Sequence, residues 1–543
     1  MKQLPVGVQD FIELRKTDKY YVDKSMLIGQ ILSQNDLGVY LYTRPRRFGK
    51  SLNLSMLDAF FNIKYKGNTW FDGLEISRHP EFDSYRNAFP VIYLDLKETD
   101  SKTKEGFFLN MNGAILGAYK EHLYLRESGI LTEDEENLFK GLMNYNVVPE
   151  ILGKSLKVLS EALERYHGSK VVVLIDEYDN AANRTEDCVL RQDMVDFIGK
   201  LLSHTLKGNN SLQIGIVTGI MQIVKADIFS GVNNLSVNNI TDTESDEMFG
   251  FTDKEVKQVC TDYGHPEKFE EAKEWYDGYR FGDVDIYNPW SILNYIQKNF
   301  KPDCYWLGTG SSDIITNVIM RADDELTDNL RILGSGGSIN HEVTTMLTSD
   351  DLNDPDTAYS LMAISGYLKA IPKGNEYELS IPNRELFTAF SKMINSGAFK
   401  TRNGYGKLKN FTDAVMSNNT QVMKSALYEL IVAMSSRVLD NEHSYQAFIT
   451  GMLMSLCGNY DVKADFENGK GYYDIMMEKK KGIGPNVVME LKKSSDSKHL
   501  ENDANAALRQ IKDRDYAYGL EGKTILYGIA FSGKEPFIIS EEI

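Results

Sequence analysis

The sequence predicts an α/β protein built from two α/β parts joined by a mainly helical middle, and three observations carry that prediction. A short apolar strand, Val39-Tyr40-Leu41-Tyr42, runs through a tight loop into a helix that opens at Gly49-Lys50-Ser51. From there to Val217, apolar strands and amphipathic helices alternate, which implies a parallel sheet with right-handed crossovers. Near the C-terminus a strand, turn, strand arrangement carries Asp474 on its first strand and Glu490-Leu491-Lys492 on its second.

The elements follow in order. Tyr21-Val22-Asp23-Lys24 precedes a helix marked by Met26, Leu27, Ile31 and Leu32. Phe11, Tyr20 and Tyr21 are base-stacking candidates, with aromatic core as the favoured reading. Leu52, Leu54, Met56, Leu57 and Phe60 mark the helix after the loop. Val91–Leu96 reads as a second strand. Helical spacing follows at Leu109–Leu125 and Ile151–Tyr166. Val171–Ile175 is an apolar run of the kind a central parallel strand shows. A helix over Met194–Leu206 and a strand over Gln213–Val217 complete the first part.

Beyond residue 245 the pattern changes. Thr252 and Glu255 form a capping box for a helix, and helices are expected to about residue 330, interrupted by the turn-rich aromatic stretch Trp275–Trp290. Asp350–Ser391 reads helix, strand, turn, strand, helix, with Gly374-Asn375 as the hairpin signal. From about Tyr405 come helices and then a strand-rich α/β segment.

Composition sets outer limits. The 543-residue chain is 42% hydrophobic, enough for several buried cores, and 25% charged, with the charges spread as in folded chains. A formal net charge of −18 argues against coating nucleic acid by bulk attraction, although a local basic groove suffices for a nuclease. Cys188, Cys260, Cys304 and Cys457 have no short paired spacing, so reduced thiols and no zinc site are expected. Neither a signal segment nor a membrane-length apolar run is evident, and a cytoplasmic location is expected.

Gly49-Lys50-Ser51 sits where a phosphate-binding loop puts its Gly-Lys-Ser. Backbone amides of Arg46, Arg47, Phe48, Gly49 and Leu52 would cradle phosphates, Lys50 would reach the terminal ones and the Ser51 hydroxyl would bind Mg²⁺. The first glycine of the G-x-x-x-x-G-K-[ST] pattern would be residue 44, where Arg stands, and Pro45 removes a donor. Arg44, Arg46 and Arg47 bring positive charge toward phosphate. ATP binding is therefore the firmer expectation and rapid hydrolysis the weaker one. Asp176-Glu177 ends the apolar run in the form of a Walker B strand: Asp176 for the Mg²⁺ shell, Glu177 to orient the attacking water. Thr218, ending the next strand, could sense the γ-phosphate or simply end the strand. Arg184, Arg280 and Arg321 are unranked arginine-finger candidates.

Tyr21–Lys24, Thr43–Ser51, Asp176–Asp179, Phe229–Gly231 with Asn233-Asn234, Tyr276–Tyr279 and Tyr287–Pro289 together resemble the bacterial AAA-ATPase-like proteins. Those typically carry a C-terminal PD-(D/E)XK nuclease superfamily domain. The resemblance implies a P-loop, AAA-like core at 1–245 and a restriction-endonuclease-like α/β domain at 405–543, while the element pattern between them reads as a helical lid at 246–345 and a winged-helix-like module at 346–404. It also makes Arg44 a family trait.

In the C-terminal part, residues two apart on a strand share a face, so Glu490 and Lys492 point the same way. Asp474 and Glu490 can share Mg²⁺ as hard oxygen ligands, with Lys492 positioning water or stabilising phosphate charge. Glu442 opens a preceding helix whose apolar side includes Tyr445, Phe448, Ile449, Met452 and Leu453. Gln510 matches the glutamine that often follows in the superfamily. Tyr472-Tyr473 stand where relatives have a small residue or Arg. Lys400, Arg402, Lys407 and Lys409 with Tyr405 could face a nucleic-acid groove, a solvated linker being the favoured reading.

The reading that results is an ATP-binding P-loop module coupled to a metal-dependent DNA nuclease-like domain, with ATP, Mg²⁺, DNA and further copies of the chain as candidate partners and no membrane. The alternative is a nucleotide-driven switch or scaffold whose nuclease-like domain only binds partners or nucleic acid.

Overall fold

The computed structural model describes residues 1–33, 38–185, 187–223, 235–306, 324–348, 351, 357–388, 390, 404–432, 441–456, 460–480 and 484–543. The chain divides into two compact units, Met1–Ile314 with Glu342–Ile371, and Ile315–His341 with Pro372–Ile543.

The first unit is organised by a five-stranded sheet. Its strands are β1 (Val39–Thr43), β2 (Val91–Asp95), β3 (Val171–Asp176), β4 (Leu212–Gly219) and β5 (Leu235–Asn238), in spatial order β2-β3-β4-β1-β5, every pair parallel. β1 and β3 are buried at every position, as continuous apolar runs in a sheet covered on both faces require. The crossovers are helical: α1 (Lys50–Phe61), α2 (Lys104–Lys120), α3 (Ser155–His167) and α4 (Cys188–Leu206). Local chemistry sets their ends. Thr103 caps α2, Asp187 accepts two amides at the start of α4, and α3 stops at left-handed Gly168. Because β4 lies between β1 and β3, Tyr42 is paired with Thr218 and Ile175 with Val217. The phosphate loop and the acidic strand end thus converge at the carboxyl edge, where ligands bind in open α/β sheets.

The stretch expected to be helical also holds a small antiparallel sheet. Phe251–Thr252, Tyr279–Phe281 and Val284–Tyr287 pair around the middle strand Val284–Tyr287. Tyr279, Phe281, Ile286 and Tyr287 are buried there, which a reading of the stretch as turn-rich overlooks. Helices α5 (Asp253–Asp262) and α6 (Pro289–Gln297) flank it. The Thr252–Glu255 capping box forms as the sequence indicates, and Asn288 caps α6. Further on, the Gly374 turn forms at φ 67° between Lys369–Lys373 and Glu376–Ser380, and Ile339–His341 adds to Glu376–Ser380 as a further strand. Residues 391–403 of the expected winged-helix-like module lie outside the described residues.

The second unit holds a mixed sheet. Strands β6 (Tyr460–Asn468), β7 (Gly471–Lys479), β8 (Asn486–Lys493), β9 (Thr524–Ser532) and β10 (Glu535–Glu542) run in sequence order, with β8 and β9 parallel and the other pairs antiparallel. Helices α7 (Gly404–Met416), α8 (Thr420–Val432) and α9 (Glu442–Leu453) supply Phe411, Leu427, Tyr445 and Ile449 to the cluster on one face, where Ile525, Tyr527, Ile529 and Phe531 lie. Helix α10 (Leu500–Asp513) covers the other face over Val488, Leu526 and Ala530. Gly528 allows that approach, since a Cβ there would clash with Ala504 O and meet Leu508 N at 2.8 Å.

Among the described residues no helix is long and apolar enough to cross a membrane. Of the residues singled out above, Phe229–Gly231, Asn233, Asn234, Arg321, Lys400, Arg402 and Cys457 lie outside the described residues, as do the side chains of Tyr405, Lys407 and Lys409.

Candidate functional site

In the first unit the loop between β1 and α1 is held in shape by its own geometry. Gly49 has φ 84° and forms the N-cap of α1, while Arg47 has φ 70°, an unusual value for a residue with a Cβ. Lys50 is 6% exposed, and its ammonium donates to the carbonyls of Arg44 at 2.8 Å and Pro45 at 3.0 Å. Burial pushes its pKa down, against the pull of Glu177, Asp176 and Asp179. Asn288 donates to the Arg46 carbonyl at 3.3 Å while capping α6, and Gly250 N donates to Phe48 O at 3.2 Å. The Tyr-Asn-Pro motif is therefore a brace for the loop.

One expectation is corrected here. Arg44 does not bring its charge to a phosphate. It is fully buried, donating to the carbonyls of Thr43 and Asn238, both at 2.9 Å, and to Asn238 Oδ1 at 2.5 Å. Its guanidinium lies 5.0 Å from the Phe249 ring centroid and 5.1 Å from that of Phe281. The reason is the parallel neighbour β5: its end, at Asn238, presents an amide and a carbonyl that a glycine could not engage.

Arg46, Arg47, Phe48, Gly49, Lys50, Ser51 and Leu52 border one cavity of about 220 Å³. Glu177, Lys97 and Arg184 border it too, and Tyr20, Tyr21, Val22, Trp290 and Leu293 give it an apolar side. Arg47 stacks on Trp290, 4.2 Å from the ring centroid. The Phe48 side chain packs on Tyr279 and Phe281, so its backbone is what it offers the loop. Phe11 is core, against Tyr21 and Phe71. Lys24 ties the N-terminal motif to α5 through Glu255 at 2.6 Å.

Asp176 is buried, and its Oδ1 accepts the Thr218 hydroxyl and the Glu177 amide. Thr218 thereby orients Asp176, a role that follows from the β3–β4 pairing. Glu177 has φ 51°, and burial raises its pKa, with Lys50 opposing and Asp176 and Asp179 reinforcing the shift. Sequence reading placed Tyr178 and Asp179 in the family pattern without a role; the structure shows that they grip the chain after β4. Tyr178 Oη donates to Met221 O and accepts from Ile223 N, both at 2.9 Å, and Asp179 Oδ2 accepts from Ile220 N and Met221 N at 2.9 and 3.0 Å. Their position directly after Asp176-Glu177 was the available signal.

In the second unit Asp474 and Glu490 continue the β7–β8 register, one step beyond the pair Ile475–Met489. Tyr473 and Met476 lie in the cluster under α10 whereas Ile475 and Met477 lie in the opposite one, so the alternation breaks at Asp474. Asp465, opposite it on β6, has φ 53°. Such an irregularity re-aims a side chain at a strand edge. Leu491 N donates to Asp474 Oδ2 at 2.7 Å and Gln446 of α9 donates to the Asp474 carbonyl at 2.8 Å.

Glu490 is 2% exposed. Its Oε1 accepts from Gln510 of α10 and from Lys492 at 3.1 Å, while its Oε2 is buried without a partner among the described residues. Burial raises Glu490 to about 7, with Asp474 adding to the effect. Asp474 rises to about 6, again chiefly through burial. Lys492 is raised as well: burial opposes its charge, but Glu490 and Glu442 outweigh it. Glu442 lies 3.7 Å from Lys492 and accepts from Lys493 N at 3.2 Å. The structure thus brings together Asp474, Glu490, Lys492, Glu442 and Gln510. Tyr473 is core beside Tyr516, and Tyr472 is exposed. Among the described residues no group of three or more His, Cys, Asp or Glu side chains is arranged around one metal position. A facing carboxylate pair with an orphaned buried oxygen is nevertheless a fitting donor set for a hard divalent cation.

Residues 5–229 match the family model described as a predicted AAA-ATPase, and residues 440–541 match that of the PD-(D/E)XK nuclease superfamily. The chain is also 26% identical over 408 residues to an "Uncharacterized protein in vnfD 5'region" of Azotobacter chroococcum mcd 1, covering 72% of this chain and 70% of that protein. The chain therefore carries an AAA-ATPase-like module and a PD-(D/E)XK nuclease-like domain, as its motifs imply.

Proposed function

We propose that the chain binds ATP·Mg²⁺ through its P-loop module and uses it to control metal-dependent phosphodiester hydrolysis of DNA by its C-terminal domain. The observation that carries the nuclease half is Glu490. A buried carboxylate with one oxygen unpartnered, facing a second carboxylate, is costly unless a cation joins it. A divalent ion held by Asp474 and Glu490 would supply an activated water and neutralise charge on the scissile phosphate. Leu491 N fixes the Asp474 carboxylate and Gln510 fixes that of Glu490, so neither must reorient during the reaction. Lys492, held by Glu490 and Glu442, would donate to a non-bridging phosphate oxygen.

On the ATPase side, Lys50 would exchange the carbonyls of Arg44 and Pro45 for phosphate oxygens. Ser51 and Asp176 would hold Mg²⁺, and Glu177 would orient water. Four cysteines without a short paired spacing suit a reducing, cytoplasmic compartment. Cleavage assays on linear, circular and single-stranded DNA with Mg²⁺ test the nuclease half. Asp474→Ala and Glu490→Ala should abolish cleavage, and wild-type activity in both would sink the proposal. ATP titration tests the other half, with Lys50→Ala expected to lose binding.

A second reading, a nucleotide-driven switch whose nuclease-like domain only binds partners, draws on one observation. Glu490 Oε1 is already taken by Gln510 and Lys492. It predicts saturable ATP binding with no divalent-dependent cleavage of any DNA.

A further inference from the structure

We propose that Arg184 acts as an arginine finger supplied within the same chain, reaching the terminal phosphate of ATP from the helix that follows the acidic strand. This rests on the nucleotide reading above and extends it to hydrolysis.

The helix Asn180–Arg184 is five residues long and begins directly after Asp179. It is fixed on several sides. Asn180 donates to the Lys97 carbonyl at 2.6 Å, Asn183 donates to Asp179 Oδ2 at 2.8 Å, and Ala181 and Ala182 are fully buried. Just beyond it, Arg191 donates through Nε to Thr185 O at 2.9 Å, and the Thr185 hydroxyl returns to Ala181 O at 2.8 Å. The backbone of Arg184 is therefore held on the same frame as Asp176 and Glu177.

Its side chain borders the cavity that Lys50, Arg46, Arg47, Lys97 and Glu177 also border. It lies 3.5 Å from Asp100, a long ion pair with both side chains more than a third exposed, and such a contact is weak and readily exchanged. The charge of Arg46 is disfavoured by burial first and by the neighbouring Arg184 next, with Glu177 and Asp179 opposing. Arg46, Arg47, Lys50, Lys97 and Arg184 outnumber Glu177 around the cavity, and that excess of positive charge suits a polyanion such as a triphosphate. The other arginine candidate among the described residues is placed differently. Arg280 pairs with Asp283 and Asp285 at 3.5 and 3.4 Å in the small antiparallel sheet and does not border the cavity.

In hydrolysis the water oxygen bonds to the γ-phosphorus as the bond to the β–γ bridging oxygen breaks. The water's proton leaves toward Glu177, and ADP and phosphate are released. Arg184 would donate to the γ-phosphate and bridging oxygens as charge develops on them. Because the finger lies in cis, turnover per molecule should not depend on protein concentration.

The test compares wild type, Arg184→Ala and Arg184→Lys in three measurements: ATP titration, hydrolysis rate across a range of protein concentrations, and capture of ADP with aluminium fluoride, a mimic of the transferring phosphoryl group. Arg184→Ala should keep ATP affinity near wild type, lose capture of the mimic and lose roughly 10³-fold in rate. Arg184→Lys should recover capture only in part, because an ammonium lacks the bidentate fork. The proposal is overturned if Arg184→Ala captures the mimic as wild type does. It is also overturned if wild-type turnover per molecule rises with concentration and added wild-type protein restores the variant. Failure of wild type to bind ATP at all would overturn the nucleotide reading itself, a distinct outcome.

Discussion

The backbone amide of Leu491 donates to Oδ2 of Asp474 at 2.7 Å, so the strand that carries Glu490 also holds the carboxylate facing it. Two acids whose charged forms are disfavoured by burial, that of Glu490 also by Asp474 and that of Asp474 also by Glu442 and Asp465, are thus kept together by the sheet. The consequences can be measured.

The first is a pH dependence of stability. Both folded-state pKa values, about 6 and about 7, lie above the ordinary carboxylate values. The folded state therefore holds these protons more tightly than the unfolded chain does. Stability from this source is present below the ordinary carboxylate pKa and is lost as pH rises through about 6 to 7. Thermal unfolding without metal should show that loss, and Mg²⁺ should offset it above about pH 7 if the pair holds the ion.

Glu490→Gln should separate stability from activity. The amide removes the like-charge repulsion and the buried charge, so the metal-free protein should melt a few degrees higher at about pH 8. The same change should abolish Mg²⁺-dependent cleavage. A lower melting temperature in a folded variant would show that Glu490 stabilises the sheet instead.

Arg44→Ala and Arg46→Ala should behave differently, although both residues lie in the loop. Removing Arg44 takes its donors from the carbonyl and Oδ1 of Asn238 and empties a space between Phe249 and Phe281, at a cost of roughly 3 kcal/mol. Arg46 borders the cavity, so its loss should weaken ATP binding and lower the melting temperature less than loss of Arg44 does. Parallel melts and ATP titrations distinguish the two.

Gly528→Ala reaches the site from beneath. The added methyl would meet Ala504 O and Leu508 N, forcing α10 outward at a cost of roughly 1–3 kcal/mol. Gln510, on that helix, would then move off Glu490. Cleavage should fall in a variant that still folds, with Mg²⁺ titration showing weaker binding.

Much of this was legible in the chain. The strand–loop–helix at Val39–Ser51, Asp176-Glu177 at a strand end, and Asp474 with Glu490 and Lys492 are local patterns, each fixed by spacing along a single element or hairpin. The small sheet around Val284–Tyr287 was not legible, because its strands are only two to four residues long and turn residues hide their alternation.

By itself, the sequence determined that an α/β framework presents the motif residues at strand ends, because short-range periodicity and the spacing of the motifs encode that placement. Tertiary structure decided what each arginine does. Arg44 meets a partner 194 residues away, so its burial is invisible in the loop that contains it. Arg184 borders the cavity beside Lys50, whereas Arg280 pairs with Asp283 and Asp285. Tertiary structure also decided that Thr218 orients Asp176 and that one oxygen of Glu490 is buried without a partner among the described residues. Strand order and helix docking bring these groups together, and both depend on contacts between segments far apart in the chain.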